Sequence, residues 1–434
     1  MTSLLPPADF AWTTSLWATL AFALALSLSH LLKFWLAMRQ MRYVAKHRFT
    51  VPAPFDQSIS LQAHEKAAQY TIAKTRFGLL ELSAGTAITL VWTLLGGLQA
   101  LNQWLIAGLG LGLGQEVALF LAFIAINALL DLPFTLYQTF VIEERFGFNK
   151  TTLSLWIQDS IKSTVVGLAI GLPLLTLILW LMGSAGAMWW IWTWCVWTGF
   201  NLLLLLVYPT WIAPIFNKFK PLDNPEIQTR ASALMQKSGF TSQGFFVMDG
   251  SRRSAHANAY FTGLGASKRV VFYDTLLAQL SPAEVEAVLA HELGHFKHRH
   301  IAKRIASMFV LSLAGLALLG WLSQQPWFFT GLGVLPDMTG NNNALALLLF
   351  FLVLPSFSSF AGPIFSSLSR QHEFEADSYA VAQTNAHDLS SALLKLYQDN
   401  ASTLTPDPLY AKFYYSHPPA SERLGRMLTP ALAH

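Results

Sequence analysis

Seven apolar stretches constrain this chain more than any other feature, each close to the ~20 residues that a helix needs to cross bilayer hydrocarbon. They fall at residues 10–32, 79–101, 117–142, 165–182, 189–207, 305–322 and 344–364. In lipid no water can satisfy stray backbone groups, so stretches of this length must be helices. Composition agrees: 53% of residues are hydrophobic and 12% charged, where about 25% charged is usual for a soluble domain. Mean hydropathy is +0.42. The expected fold class is an all-α dominated integral membrane protein with about seven transmembrane helices.

The basic residues orient these helices, because cytoplasmic loops collect Lys and Arg. All 28 lie in residues 33–77, 143–164, 208–304 and 365–434, whereas the tail 1–9 and the loops 102–116, 183–188 and 323–343 contain none. The N-terminus is therefore expected outside, and the long 208–304 loop and the C-terminus in the cytoplasm. The net charge of +4 follows from those loops and calls for no nucleic-acid partner. No basic residue precedes the first stretch, which reads as a retained anchor rather than a signal peptide. Cys195, the single cysteine, excludes an intrachain disulfide and is expected to be a small core residue.

Two polar stretches can fold outside hydrocarbon, and we read them as one catalytic domain split by the last two spans. The divisions are 1–208 (spans one to five), 209–304 (first part of the domain), 305–369 (spans six and seven) and 370–434 (second part). In the first part, Ala259–Thr262 and Arg269–Tyr273 are aromatic and β-branched and are separated by Gly263, Gly265 and Lys268, a β-hairpin pattern. Ser281-Pro-Ala-Glu284 is a capping-box helix start.

The helix that starts there carries His291-Glu292-Leu293-Gly294-His295. Residues four apart share a helix face, so both imidazoles project side by side with Glu292 near them, among apolar neighbours where unpaired polar groups are costly. Coordinated Zn²⁺ resolves that conflict. Random placement of this chain's histidines and glutamates would produce roughly 0.01 such H-E-x-x-H motifs. A catalytic zinc needs a third protein ligand and keeps a position open for water. Glu373 is the best candidate, with Asp377 one turn on as the carboxylate that fixes a ligating histidine's tautomer. Glu375, on another face, is expected to be solvated. His298 and His300 belong to a basic run that suits a helix C-terminus and a membrane surface, and are not expected to bind metal. Zinc acidifies its water and polarises a carbonyl, and Glu292 is placed to move the proton. The chemistry is metal-assisted amide hydrolysis.

Longer strings then carry a family resemblance: FVIEERFGFN at 140–149, YPTWIAPIFNK at 208–218, DGSRRSAHANAYF at 249–261 and SHPPASER at 416–423. With HELGH and Glu373-x-x-x-Asp377, the chain resembles the type I CAAX prenyl endopeptidases, seven-span zinc proteases of the gluzincin group, nearly end to end. The resemblance implies a ring of spans around a membrane chamber capped by a gluzincin-like α+β domain holding one zinc ion. It also implies substrate pairing at Asn258 and Ala259, and oxyanion-side roles for His417 and Arg423. The implied partners are a peptide or protein substrate, prenylated in the family, and membrane lipid. Short loops and a brief tail point to a bacterial cell membrane, with the ER membrane as the eukaryotic counterpart. A bacterial host without prenylation would direct the enzyme to leftover or misfolded membrane peptides. A transporter would explain seven spans and the acids Glu81, Asp131, Glu143 and Glu144 in or near them, but not the HELGH helix. Those acids are expected to line a wet chamber or pair with Arg145.

Overall fold

The computed structural model describes residues 8–53, 55–240, 244–262, 269–337 and 342–428. Among them, six helices are long and apolar enough to cross a membrane: Thr13–His47, Leu113–Phe146, Leu153–Ser184, Gly186–Phe216, His300–Leu322 and Asn343–Gln383. The expected second span is a broken helix, Leu61–Trp92 followed by Gly97–Leu109 at 50°. Glycine causes the break. Gly96 adopts φ 78°, a left-handed conformation that L side chains avoid, and a Cβ on Gly97 would stand 2.6 Å from the Val91 carbonyl oxygen.

Large apolar side chains cover the outside of the bundle, with Trp17, Leu95, Trp104, Leu129 and Trp211 between 66% and 76% exposed. Surfaces of this kind belong against lipid rather than water. Cys195 corrects the sequence reading: it is exposed, because a spanning helix needs no protein core to shelter a small apolar group. Of the four acids, Glu143 departs from the expected pairing with Arg145. Glu143 accepts hydrogen bonds from the Tyr70 hydroxyl at 2.7 and 2.8 Å and lies 3.5 Å from Lys74 Nζ, so its cation is Lys74 and not Arg145. Asp131 accepts from Thr135 one turn along its own helix.

The first helix, Ala8–His47, is roughly 60 Å long at 1.5 Å per residue, about twice the hydrocarbon thickness. Its far half reaches the polar part, where the Arg39 guanidinium donates to Asp407 at 2.9 Å. That part contains a four-stranded sheet in the order β1-β2-β4-β3, with β1 Phe219–Pro221, β2 Phe245–Met248, β3 Ala259–Thr262 and β4 Arg269–Tyr273. β2 and β4 are parallel, and β3 and β4 antiparallel with Ala259 opposite Phe272 and Thr262 opposite Arg269. This is the expected hairpin, and its connecting residues 263–268 lie outside the described residues. β3 is an edge strand. Beneath the sheet, Val270, Phe272, Leu276, Leu289 and Leu293 share one core with Ala380, Leu389 and Ala392. Residues from both polar stretches thus fill a single hydrophobic core.

Candidate metal centre and active site

The motif helix, Pro282–Lys297, is set by its first turn. Ser281 Oγ accepts from the Glu284 amide, and Glu284 Oε2 accepts from the Ser281 amide at 2.7 Å, which satisfies two donors that a helix start leaves bare. Glu284 also accepts from Ser391 and Lys395 of the following domain segment at 2.6 and 2.7 Å. Burial opposes its charge, but these bonds outweigh that and bring its pKa down to about 2.

A second helix, Gly362–Gln383, packs across the motif helix at Gly294. A Cβ there would meet the Ala376 Cα at 2.8 Å and its carbonyl oxygen at 3.0 Å, so only glycine permits this approach. The close packing brings Glu373 beside both motif histidines. His291 Nε2 and His295 Nε2 are 3.3 Å apart; His291 Nε2 lies 3.4 Å from Glu373 Oε2 and His295 Nε2 lies 3.4 Å from Glu373 Oε1.

These separations test whether the residues fit a metal. Ligand atoms about 2.0–2.1 Å from a tetrahedral zinc stand roughly 3.3–3.4 Å from one another, which is the spacing found. Glu373 Oε2 is buried with no hydrogen-bond donor of its own, an arrangement that costs about 1–3 kcal/mol when left uncompensated. Two neutral imidazoles and a carboxylate are also the donors of a catalytic zinc. The residues fit.

Behind His291, Asp377 accepts from Nδ1 at 2.9 Å, directing Nε2 forward. Arg423 grips the same carboxylate through Nε at 2.8 Å and Nη2 at 2.5 Å, and all three residues are buried. Burial depresses the charged form of His291, yet the Asp377 and Glu373 contacts prevail and hold its pKa up at about 9 when protein groups alone act on it. Glu292 shifts upward too, chiefly through burial, with His291 and His295 pulling the other way.

One pocket of about 130 Å³ gathers Asn258, Ala259, Glu292, Glu373, His417 and Arg423 around His291. His417 stands at its mouth, 63% exposed, with Nε2 3.5 Å from Glu373 Oε1. Asn258 accepts from the Tyr273 amide through its carbonyl and, with Ala259, begins the open edge of β3. Arg423 lines the pocket while its guanidinium is committed to Asp377. A cavity of about 950 Å³ continues from Asn258 and His417 toward Lys74 and a group of tyrosines.

Two residues stand elsewhere than the sequence suggests. His300 is 4% exposed, its Nδ1 lies 3.0 Å from His295 Nδ1, and its Nε2 is 2.9 Å from Glu375 Oε2. Glu375 is therefore held by a histidine rather than simply solvated. The available signal was a histidine five positions beyond His295 at the start of a membrane span, where a buried imidazole needs a reason.

Taken together, a bundle of membrane-spanning helices and a site of two histidines and a glutamate beside a buried acid define a multi-pass membrane metalloendopeptidase. Two family profiles cover nearly the whole chain: "CAAX prenyl protease N-terminal, five membrane helices" over residues 40–218 and "Peptidase family M48" over residues 221–431. A CAAX prenyl protease 1 homolog of Arabidopsis thaliana is 33% identical, over 86% of this chain and 89% of its own. The human homolog is 32% identical over 97% and 94%. The crystal structure of S. mikatae Ste24p aligns with a TM-score of 0.88 at 30% identity, covering 94% of this chain and 99% of that one. The chain belongs to peptidase family M48. Its helices form the membrane bundle expected from the resemblance, and the family implies a catalytic metal.

Proposed function

We propose that the protein is a zinc endopeptidase that cleaves near the C-terminus of prenylated CAAX-type peptides, with His291, His295 and Glu373 as ligands. The observation that carries this reading is the convergence of His291 Nε2 and His295 Nε2, 3.3 Å apart, on the Glu373 carboxylate, each 3.4 Å from a different one of its oxygens, with Glu292 in the same pocket. When bound, zinc supplies an acidified water and polarises the scissile carbonyl.

The chain's own residues do the rest. Glu292, whose burial makes it a stronger base than a free carboxylate, takes a proton from the attacking water and returns it to the leaving amine. The free edge of β3 at Asn258 and Ala259 hydrogen-bonds an extended substrate as an added strand. His417, at the mouth, donates to the oxygen on which negative charge develops. Arg423 acts through Asp377, holding the carboxylate that keeps His291 in its metal-binding tautomer. The large cavity beyond Asn258 has no acidic lining residue among those described, which suits the free carboxylate at the end of a CAAX peptide. Basic loops favour a cytoplasmic site and an outside N-terminus, and the compact loops suit a bacterial cell membrane.

Zinc content and hydrolysis of a farnesylated CAAX peptide, measured on wild type and Glu292→Gln, test the reading. Full zinc in both with cleavage lost in the variant is expected. Equal cleavage by the two proteins refutes the assignment of the base, and absence of stoichiometric zinc in the wild type refutes the whole. Faster cleavage of the same peptide without its farnesyl group would overturn the prenylated substrate class.

A further inference from the structure

His291 and His295 present matching nitrogens to the same metal position, yet their supports differ. His291 leans on the Asp377 carboxylate directly, at 2.9 Å. Among the described residues, no carboxylate meets His295 Nδ1. Its Nδ1 instead meets His300 Nδ1 at 3.0 Å, and His300 Nε2 meets Glu375 Oε2 at 2.9 Å.

We propose that His300 and Glu375 form an outer relay that fixes the tautomer and ring plane of His295, making them positioning residues for the metal. The inference rests on His295 being a ligand. Ligation through Nε2 leaves the proton of a neutral imidazole on Nδ1, so His295 donates to His300 Nδ1. His300 then carries its own proton on Nε2 and donates it to Glu375, the terminal anion. Every donor in this chain has one acceptor, and no other order of protons satisfies all three groups. The ligand gains basicity from the charge at the far end, as it does when a carboxylate touches it.

The surroundings leave His300 little freedom. Its ring stacks on His372 at 3.9 Å and 12°, and lies parallel to His298 at 5.5 Å and 15°. Arg299, just before it, has φ 57°, a left-handed conformation that costs a non-glycine residue about 1–2 kcal/mol. That turn ends the motif helix and begins the next helix at His300, bringing its ring back against His295. A strained residue next to a buried polar chain is the pattern of a position kept for function.

Three variants separate the relay from mere packing, using zinc affinity of the purified membrane protein measured by chelator competition. His300→Phe keeps the stacked ring and removes the acceptor, and we expect zinc binding to weaken by about 10- to 100-fold. His300→Asn places an amide oxygen near the lost Nδ1 and should restore most of that affinity. Wild-type affinity in His300→Phe, or equal losses in the Phe and Asn variants, overturns the proposal. Should His300→Phe fail to fold, judged by its melting temperature without zinc, Glu375→Ala carries the test. Its side chain is partly exposed, and faster zinc release than wild type is expected, whereas an unchanged rate refutes the relay. His295→Ala serves as the reference: if it retains tight zinc binding, the ligand assignment itself is wrong, a failure distinct from that of the relay.

Discussion

Replacing Gly294 with alanine adds one methyl group and touches no ligand, yet it should loosen the metal. The new Cβ would stand 2.8 Å from the Ala376 Cα, whereas carbon atoms in contact sit about 3.5–4.0 Å apart. The obstacle is backbone, so the two helices must separate by roughly 0.7 Å or more. Glu373 rides on the displaced helix, one turn before Ala376. Metal–ligand distances tolerate about 0.2 Å, a third of that shift. Overpacking of this kind costs about 1–3 kcal/mol. Metal binding requires the close approach, so most of the cost should fall on the metal-bound state, raising the zinc dissociation constant about 5- to 150-fold at 1.4 kcal/mol per decade. Chelator competition measures that constant, and melting with and without zinc shows where the strain lies. Wild-type zinc affinity in Gly294→Ala would refute the claim that this contact sets the ligand geometry.

Asp377→Asn removes the charge shared by His291 and Arg423 and leaves the buried guanidinium only its longer, 3.9 Å contact with Glu373, a loss of up to about 3–5 kcal/mol; thermal unfolding at an unchanged temperature would contradict this. Zinc affinity should rise with pH. His291, at about 9 without metal and near 6.5 when unfolded, holds its proton at neutral pH. That proton stabilises the metal-free fold fully below 6.5, and its contribution disappears as pH climbs through 9. Zinc must displace the same proton, so apparent affinity should grow by up to about tenfold per unit between those values, and a flat profile refutes the assignment. Glu284 titrates the other way: its pKa near 2 lies below the usual carboxylate value, so its stabilisation is present at neutral pH and fades as pH falls from about 4.5 toward 2. Glu284→Gln should cost about 1–3 kcal/mol at pH 7 and much less at pH 3; equal costs in denaturant melts at both would count against the capping network.

Local patterns carried much of this molecule. The hairpin strands were legible to the residue, because β-branched runs and turn glycines act over a few positions. The capping box was legible for the same reason, and helical periodicity put Glu373 and Asp377 on one face. What stayed hidden depends on distant parts of the chain. Nothing around Gly294 announces that Ala376 will press against it, and nothing around Arg423 says that its partner will be Asp377. The β1 and β2 strands were missed as well, because both pair with strands distant in sequence, β1 with β2 and β2 in parallel with β4, so no local hairpin marks them. His300 was misjudged because a histidine in a basic run looks like a surface cation until its neighbours in space are known. Cys195 was misjudged because the rule that small apolar groups go inward assumes water outside.

Glu373 stands on a helix that emerges directly from the last membrane span, joined to it through a short turn at Ser359–Ala361. In order of synthesis, the ribosome makes His291 and His295 first, and Glu373 follows only after the two final spans have been made. With His291, His295 and Glu373 as the proposed ligands, a nascent chain lacks the third until those spans have been made. A polypeptide that ends before those spans carries two histidines and no third ligand, so the order of synthesis keeps the blade sheathed until the membrane part has been made.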